Sequence, residues 1–209
     1  MDKNIVKRNE LLAQKLIKGL ESRNMKGYYA ADREEAKKLA LSLIPEGSTV
    51  TMGGGQSVWE IGLVDELKAG PYRFIDRNLY EDKRAAFLAA FDADVFLASA
   101  NAITDDGIMV NIDGNANRVA ALAYGPKKLV LIVGMNKVCP DLDAAMKRAR
   151  SVAATINAQR FGLSTPCSKT GACMDCKSPD TICCQFLITR YSRHADRVHV
   201  ILVNDSLGF

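Results

Sequence analysis

Five consecutive branched apolar residues, Leu129-Val130-Leu131-Ile132-Val133, constrain this chain more than any other feature. A run of that kind suits a strand covered on both faces, as in the middle of a parallel sheet. Further short strands are read at 48–52, 73–76, 94–99 and 197–203. Between most of them the apolar spacing becomes helical, at 33–43, 81–91, 115–124 and 142–157, and an amphipathic helix opens the chain at 2–22. Asp32 and Glu35 form a capping-box pattern at the start of the helix at 33–43, which Pro45-Glu46-Gly47 ends. Helical spacing returns at Val58, Ile61, Val64 and Leu67 until Gly70-Pro71 stops it. This alternation predicts an α/β fold, with helices on both sides of a mostly parallel sheet. Residues 103–104 and 108–112 flank Asp105-Asp106-Gly107 and add a local β-hairpin. With 209 residues and no internal repeat or low-complexity linker, one domain over 1–209 is expected.

Charge excludes some classes of partner. The net charge is +4, with both signs scattered. Lys7, Arg8, Lys15 and Lys18 interleave with Leu11, Leu12, Leu16 and Ile17, which describes a solvated face on an amphipathic helix. Dense basic patches with aromatic platforms are missing, so nucleic acid is not an expected partner. No apolar stretch reaches the roughly 18 residues that span a bilayer, so no membrane span is expected. Residues 1–10 are polar and charged, so no secretory signal is read and the cytoplasm is the expected location. Thiols stay reduced there, and clustered cysteines point to metal or redox chemistry before structural disulfides.

Two segments carry the binding chemistry. After the strand at 48–52 come Gly53, Gly54, Gly55, Gln56 and Ser57, and then a helix. Glycines let a backbone approach a ligand closely, and a helix start offers free N–H groups to an anion. The spacing is neither the dinucleotide fingerprint nor a P-loop. The alternative is a plain tight turn with a helix cap. Trp59 beside it is read as a core residue. Farther on, Asn111 stands in the second strand of the hairpin, and Asn117 and Arg118 follow it. Arg118 stands near a helix start, where a cation opposes the dipole, so it bonds a carboxylate such as Asp113 or Asp106, or a ligand anion. Lys137 lies just past the central strand, at the strand end where ligands collect in open α/β sheets.

Three segments in order carry a family resemblance: Gly-Gly-Gly-Gln-Ser; Asn-Ala-Ile-Thr-Asp-Asp-Gly with Val-Asn-Ile-Asp-Gly-Asn-Ala-Asn-Arg-Val; and Val-Gly-Met-Asn-Lys-Val. Together they resemble the lactate-utilisation (LUD) domain family over nearly the whole chain. The resemblance implies a three-layer α/β/α fold similar to sugar-phosphate isomerases and CoA transferases, with an anionic ligand group at residues 53–57. It also implies a link to oxidation of lactate to pyruvate alongside iron–sulfur partner subunits. It supplies no catalytic residues.

Five of the six cysteines fall in the loop at 163–184, as C-x5-C-x2-C-x6-C-C. Such spacing in a reduced compartment is a metal-site pattern. Cys167, Cys173, Cys176 and Cys183 are the expected ligands, with Cys184 as the alternative fourth. The spacing is neither the common ferredoxin run nor the paired C-x2-C of zinc ribbons; a 4Fe–4S cluster is the leading cofactor because it fits the redox association that the resemblance implies, and zinc, or a thiol switch without metal, stays open. Cys139 stands apart and reads as a packed core thiol. Three functions remain: a redox component that binds a small anionic metabolite and passes electrons to partners; a stand-alone enzyme on a phosphorylated or CoA-linked metabolite, with Glu60, Asp106 or Asp113 as the acid–base group; and a non-catalytic module with a structural metal.

Overall fold

The structure is a computed structural model and describes residues 2–209. In chain order its elements are α1 (Lys3–Ser22), β1 (Lys26–Ala30), α2 (Arg33–Ser42), β2 (Thr49–Met52), α3 (Gln56–Glu60), α4 (Leu63–Ala69) and β3 (Arg73–Ile75). Then follow α5 (Lys83–Phe91), β4 (Val95–Ala98), β5 (Ala102–Thr104), β6 (Met109–Asp113), α6 (Asn117–Ala123), β7 (Lys128–Gly134) and β8 (Val138–Cys139). The chain closes with α7 (Leu142–Arg148), α8 (Thr155–Arg160), α9 (Pro166–Thr170), β9 (Gln185–Thr189) and β10 (Val198–Val203).

Six strands form a wholly parallel sheet in the order β1-β10-β7-β4-β2-β3. The apolar run explains its middle. Leu129, Leu131 and Val133 of β7 pack with Leu16 and Leu20 of α1, while Val130 and Ile132 enter the opposite layer with Ala36 and Ala40 of α2 and Leu63 and Leu67 of α4. A strand between two helix layers has no solvent face, so no polar residue interrupts it. Each such fully buried Leu, Ile or Val contributes about 1.5–3 kcal/mol.

The hairpin departs from expectation in its setting. It is not an appendage of the main sheet but the centre of a second sheet, in the order β8-β5-β6-β9. β6 pairs antiparallel with both β5 and β9, and β8 runs parallel to β5. Gly107 in its turn has φ +94° and sits against the backbone of α1, where a Cβ would lie 2.9 Å from Leu20 N. A small core of Ala102, Val110, Ala145 and Ala149 fastens this sheet to α7.

Other differences are local. The helical spacing from Val58 to Leu67 is two short helices, because Gly62 takes φ +70° between them. Trp59, read from sequence as core, is 42% exposed, with Lys68 Nζ 5.8 Å from its ring centroid. The short first helix turns that side chain outward. The helix expected at 142–157 runs on to Arg160 through a π-helical turn at Ala149–Ala154. β1, β8 and β9 were not foreseen. Among the described residues, no helix is long and apolar enough to cross a membrane.

Candidate functional site

The carboxyl ends of β2, β4 and β7 lie side by side, and a pocket of about 260 Å³ opens beyond them. Four cationic side chains line it, Arg77, Arg118, Lys137 and Arg160, with Asp113 as the acidic one. Gly54, Gly55 and Gln56 form one rim and Asn101, Asn115, Asn117 and Asn157 add amides. The glycines make room for the arginines. A Cβ on Gly53 would stand 3.0 Å from Arg118 Cδ, and one on Gly54 would stand 3.3 Å from an Arg77 guanidinium nitrogen. α3 has only five residues, so its dipole is small, and the positive potential comes from side chains.

Arg118 is held from several sides. Its guanidinium donates to Asn101 Oδ1 at 3.2 Å and to the Ile112 carbonyl, and its Nε lies 4.0 Å from Asp113 Oδ2. That same carboxylate accepts the N–H groups of Arg118 and Val119, at 2.9 and 3.1 Å, and so caps α6. Burial pulls the Arg118 guanidinium below its ordinary pKa, with Asp113 opposing and Arg160 adding to the fall. Asp106, the other proposed partner, bonds Thr104 and Arg23 instead; the Thr104 hydroxyl first, and Arg23 after it, hold its carboxyl below the usual range.

Lys137 sits in the single turn after β7 and is 3% exposed. Its Nζ lies 3.0 Å from Ser57 Oγ and 2.9 Å from Ser99 Oγ. Burial, with Arg148 and Arg118 adding and Glu60 opposing, brings the amine down to about 7.

A second, smaller pocket of about 70 Å³ lies behind the first. Cys167, Cys173, Cys176 and Cys183 line it with Met174, Ile182 and Phe186. Ala154 and Ile182 line both pockets and form the wall between them. All six cysteines are free. Cys184 is exposed and does not line the pocket; its sulfur points to the Thr181 carbonyl at 3.5 Å. Burial first, and the neighbouring sulfurs of Cys173, Cys167 and Cys176 after it, push the Cys183 thiol up to about 11. Among the described residues, no three His, Cys, Asp or Glu side chains converge on one metal ion. Cys139 is buried, with its thiol raised mainly by burial.

The family described as LUD domain matches residues 13–203. The chain belongs to the LUD-domain family. Its fold resembles the crystal structure of a DUF162 family protein from Deinococcus radiodurans, with 12% identity, a TM-score of 0.52, and coverage of 93% of this chain and 98% of that one. A translation initiation factor eIF-2B from Pyrococcus horikoshii overlaps 53% of the chain and 48% of its own length, at 19% identity and a TM-score of 0.36, too low to carry an argument. No curated protein matches.

In this LUD domain, Gly54, Gly55, Gln56, Asn117, Arg118 and Lys137 line the larger pocket. Gly53 lies beside it, and Ser57 lies beneath it against Lys137. Asn111 is in the core, where its Nδ2 donates to the Ser99 carbonyl at 2.9 Å, so it positions the strand end and does not reach the pocket. Glu60 accepts the Gly208 N–H at 2.8 Å outside the pocket lining. Sequence reading missed Arg77, Ser99 and Arg160. Arg77 is in a short turn after β3, and Arg160 reaches the pocket through the π-helical turn; neither carries a local pattern. Ser99 was legible in principle, as the first polar residue after an apolar strand that ends at the site.

Proposed function

We propose that this LUD domain is a redox component that binds a small anionic metabolite, and that its cysteine loop holds a 4Fe–4S cluster exchanging electrons with partner subunits. Family membership implies a function related to lactate utilisation. One observation carries the finer reading: the arginine pocket and the four-thiol pocket share Ala154 and Ile182 as a common wall. A ligand in the first pocket would be one layer of side chains from whatever the thiols hold.

The donor set fits that group. Four thiols face one apolar-walled space, which suits the Cys₄ ligation of such clusters. A zinc ion would draw four sulfurs to within about 4 Å of each other, given Zn–S bonds of about 2.3 Å. A 4Fe–4S cluster, with one iron per thiolate, would hold them farther apart, and metal analysis distinguishes the two. When bound, the cluster would supply one-electron exchange.

The chain's own residues handle the ligand. Arg77, Arg118 and Arg160 attract and orient its carboxylate or phosphate, since guanidinium pairs with such groups in bidentate fashion. Phe161 and Phe209 cover the pocket's apolar side. The volume of about 260 Å³ suits a compact metabolite. Anaerobic purification followed by iron and sulfide analysis tests the reading. About four of each per chain are expected. Iron-free protein from an oxygen-free preparation would sink it.

A further inference from the structure

Beneath the arginine pocket lies a polar cluster that anion binding alone does not use. Lys137 Nζ is within hydrogen-bond distance of both Ser57 Oγ and Ser99 Oγ, and the two hydroxyls are 3.4 Å apart. The three residues are 3%, 0% and 5% exposed, respectively. Lys137 and Ser99 line the pocket, and Ser57 lies behind them. Among the described residues, no carboxylate bonds the amine. The charged groups acting on it are Arg148 of α7, Arg118 of α6 and Glu60 of α3, and Glu60 is already engaged by the Gly208 N–H.

Buried lysines flanked by other cations lose their proton readily, and the neutral amine is a strong nucleophile. Its one lone pair accepts a single serine hydroxyl, so the second serine accepts from the amine. That arrangement holds the nitrogen at the pocket wall and places a proton relay beside it. We propose that Lys137 captures a small anionic aldehyde or ketone as a Schiff base, with the substrate's carboxylate or phosphate held by the arginines.

The step balances without an oxidant or reductant. The Nζ lone pair adds to the carbonyl carbon, and the carbonyl π electrons move to oxygen. That oxygen takes up a proton as the nitrogen gives one up, with Ser99 and Ser57 passing it. The carbinolamine hydroxyl then leaves as water, taking the remaining N–H proton through the same serines, and the nitrogen electrons form the C=N bond. The proposal rests on reading the larger pocket as an anion site and is independent of the cysteine loop.

The test is borohydride trapping on the wild-type chain. Pyruvate and glycolaldehyde phosphate serve as separate probes, so that a carboxylate and a phosphate are told apart. Intact mass and peptide mapping should show one reduced adduct per chain, on Lys137, with at least one probe. Because the amine lies at about 7, the adduct should form about tenfold faster at pH ~8 than at pH ~6, following the neutral fraction. Ser99→Ala should slow the adduct without moving it. No adduct with either probe, or adducts spread over surface lysines, would overturn the proposal. Calorimetry without borohydride separates the two failures. Binding without an adduct sinks covalent capture alone, whereas no binding and no adduct sinks the anion pocket as well.

Discussion

The arginine pocket and the thiol pocket share a wall but are built in opposite ways. The first stands on the ends of β2, β4 and β7, and its groups are bonded to each other: Arg118 to Asn101 and Ile112, Asp113 to the start of α6, Lys137 to two serines. The second stands on a connection whose regular structure is the five-residue α9, and its sulfurs have few partners beyond Thr165 and Arg150. A preorganised site is complete before its ligand arrives. A site of bare thiols gains its rigidity from what it binds. The rigid pocket should therefore bind alone, and the loop should order with its metal.

The largest effect expected is all-or-none. Cys173→Ser or Cys176→Ser should abolish iron loading, measured by metal analysis, while circular dichroism of the parallel sheet stays unchanged. Removing the metal with a chelator should speed hydrogen exchange at 163–184 and leave β7 and β10 protected. Melting of the whole domain on metal loss would erase the contrast and favour a structural metal.

Next comes pH. The Lys137 amine, at about 7 when folded, is depressed from 10.5 in the free side chain. Between those values the unfolded chain carries a proton that the folded chain lacks, so this group makes stability rise with pH. Below about 7 both states are protonated and the dependence disappears. Wild type should thus gain stability relative to Lys137→Met from about pH 7 to about pH 10, by at most about 1.4 kcal/mol per pH unit. A flat difference would show an ordinary charged lysine.

Arg160→Gln should weaken binding of a small carboxylate or phosphate roughly tenfold, read by calorimetry, since a hydrogen bond to a charged group is worth about 1.5–3 kcal/mol. It should leave iron content alone. Smallest of all, Cys184→Ser and Trp59→Phe should each change stability by no more than about 0.5 kcal/mol, because both side chains are exposed. Cys184→Ser should also keep its iron; loss of iron would move the fourth ligand.

The contrast also explains what the sequence made legible. The main sheet was readable because Leu129–Val133 and the helical spacings around it are dictated by burial on two sides. The glycine run was readable as a close approach, but its reason was not: the glycines clear space for Arg118 and Arg77, residues 65 and 24 positions from Gly53. The helix after the glycines is shorter than its apolar spacing suggests, because Gly62 breaks that spacing into two helices. β9 was hidden at the end of the cysteine-rich segment, and the exposed Phe186 and Ile188 blur its alternation. Arg160 was hidden because a π-helical turn shifts the helix face, and no residue pattern announces it. Cys183 reads ahead of Cys184 as the fourth ligand; the chain turns Cys183 into the thiol pocket and leaves Cys184 exposed.

On the proposed reading, the two pockets act as one unit. The most direct measurement is the electron paramagnetic resonance spectrum of anaerobically purified, dithionite-reduced protein, with and without pyruvate or lactate. An iron–sulfur signal should change on ligand addition in wild type and change less in Arg160→Gln at the same ligand concentration. No iron–sulfur signal, or a signal indifferent to both ligands, would contradict it.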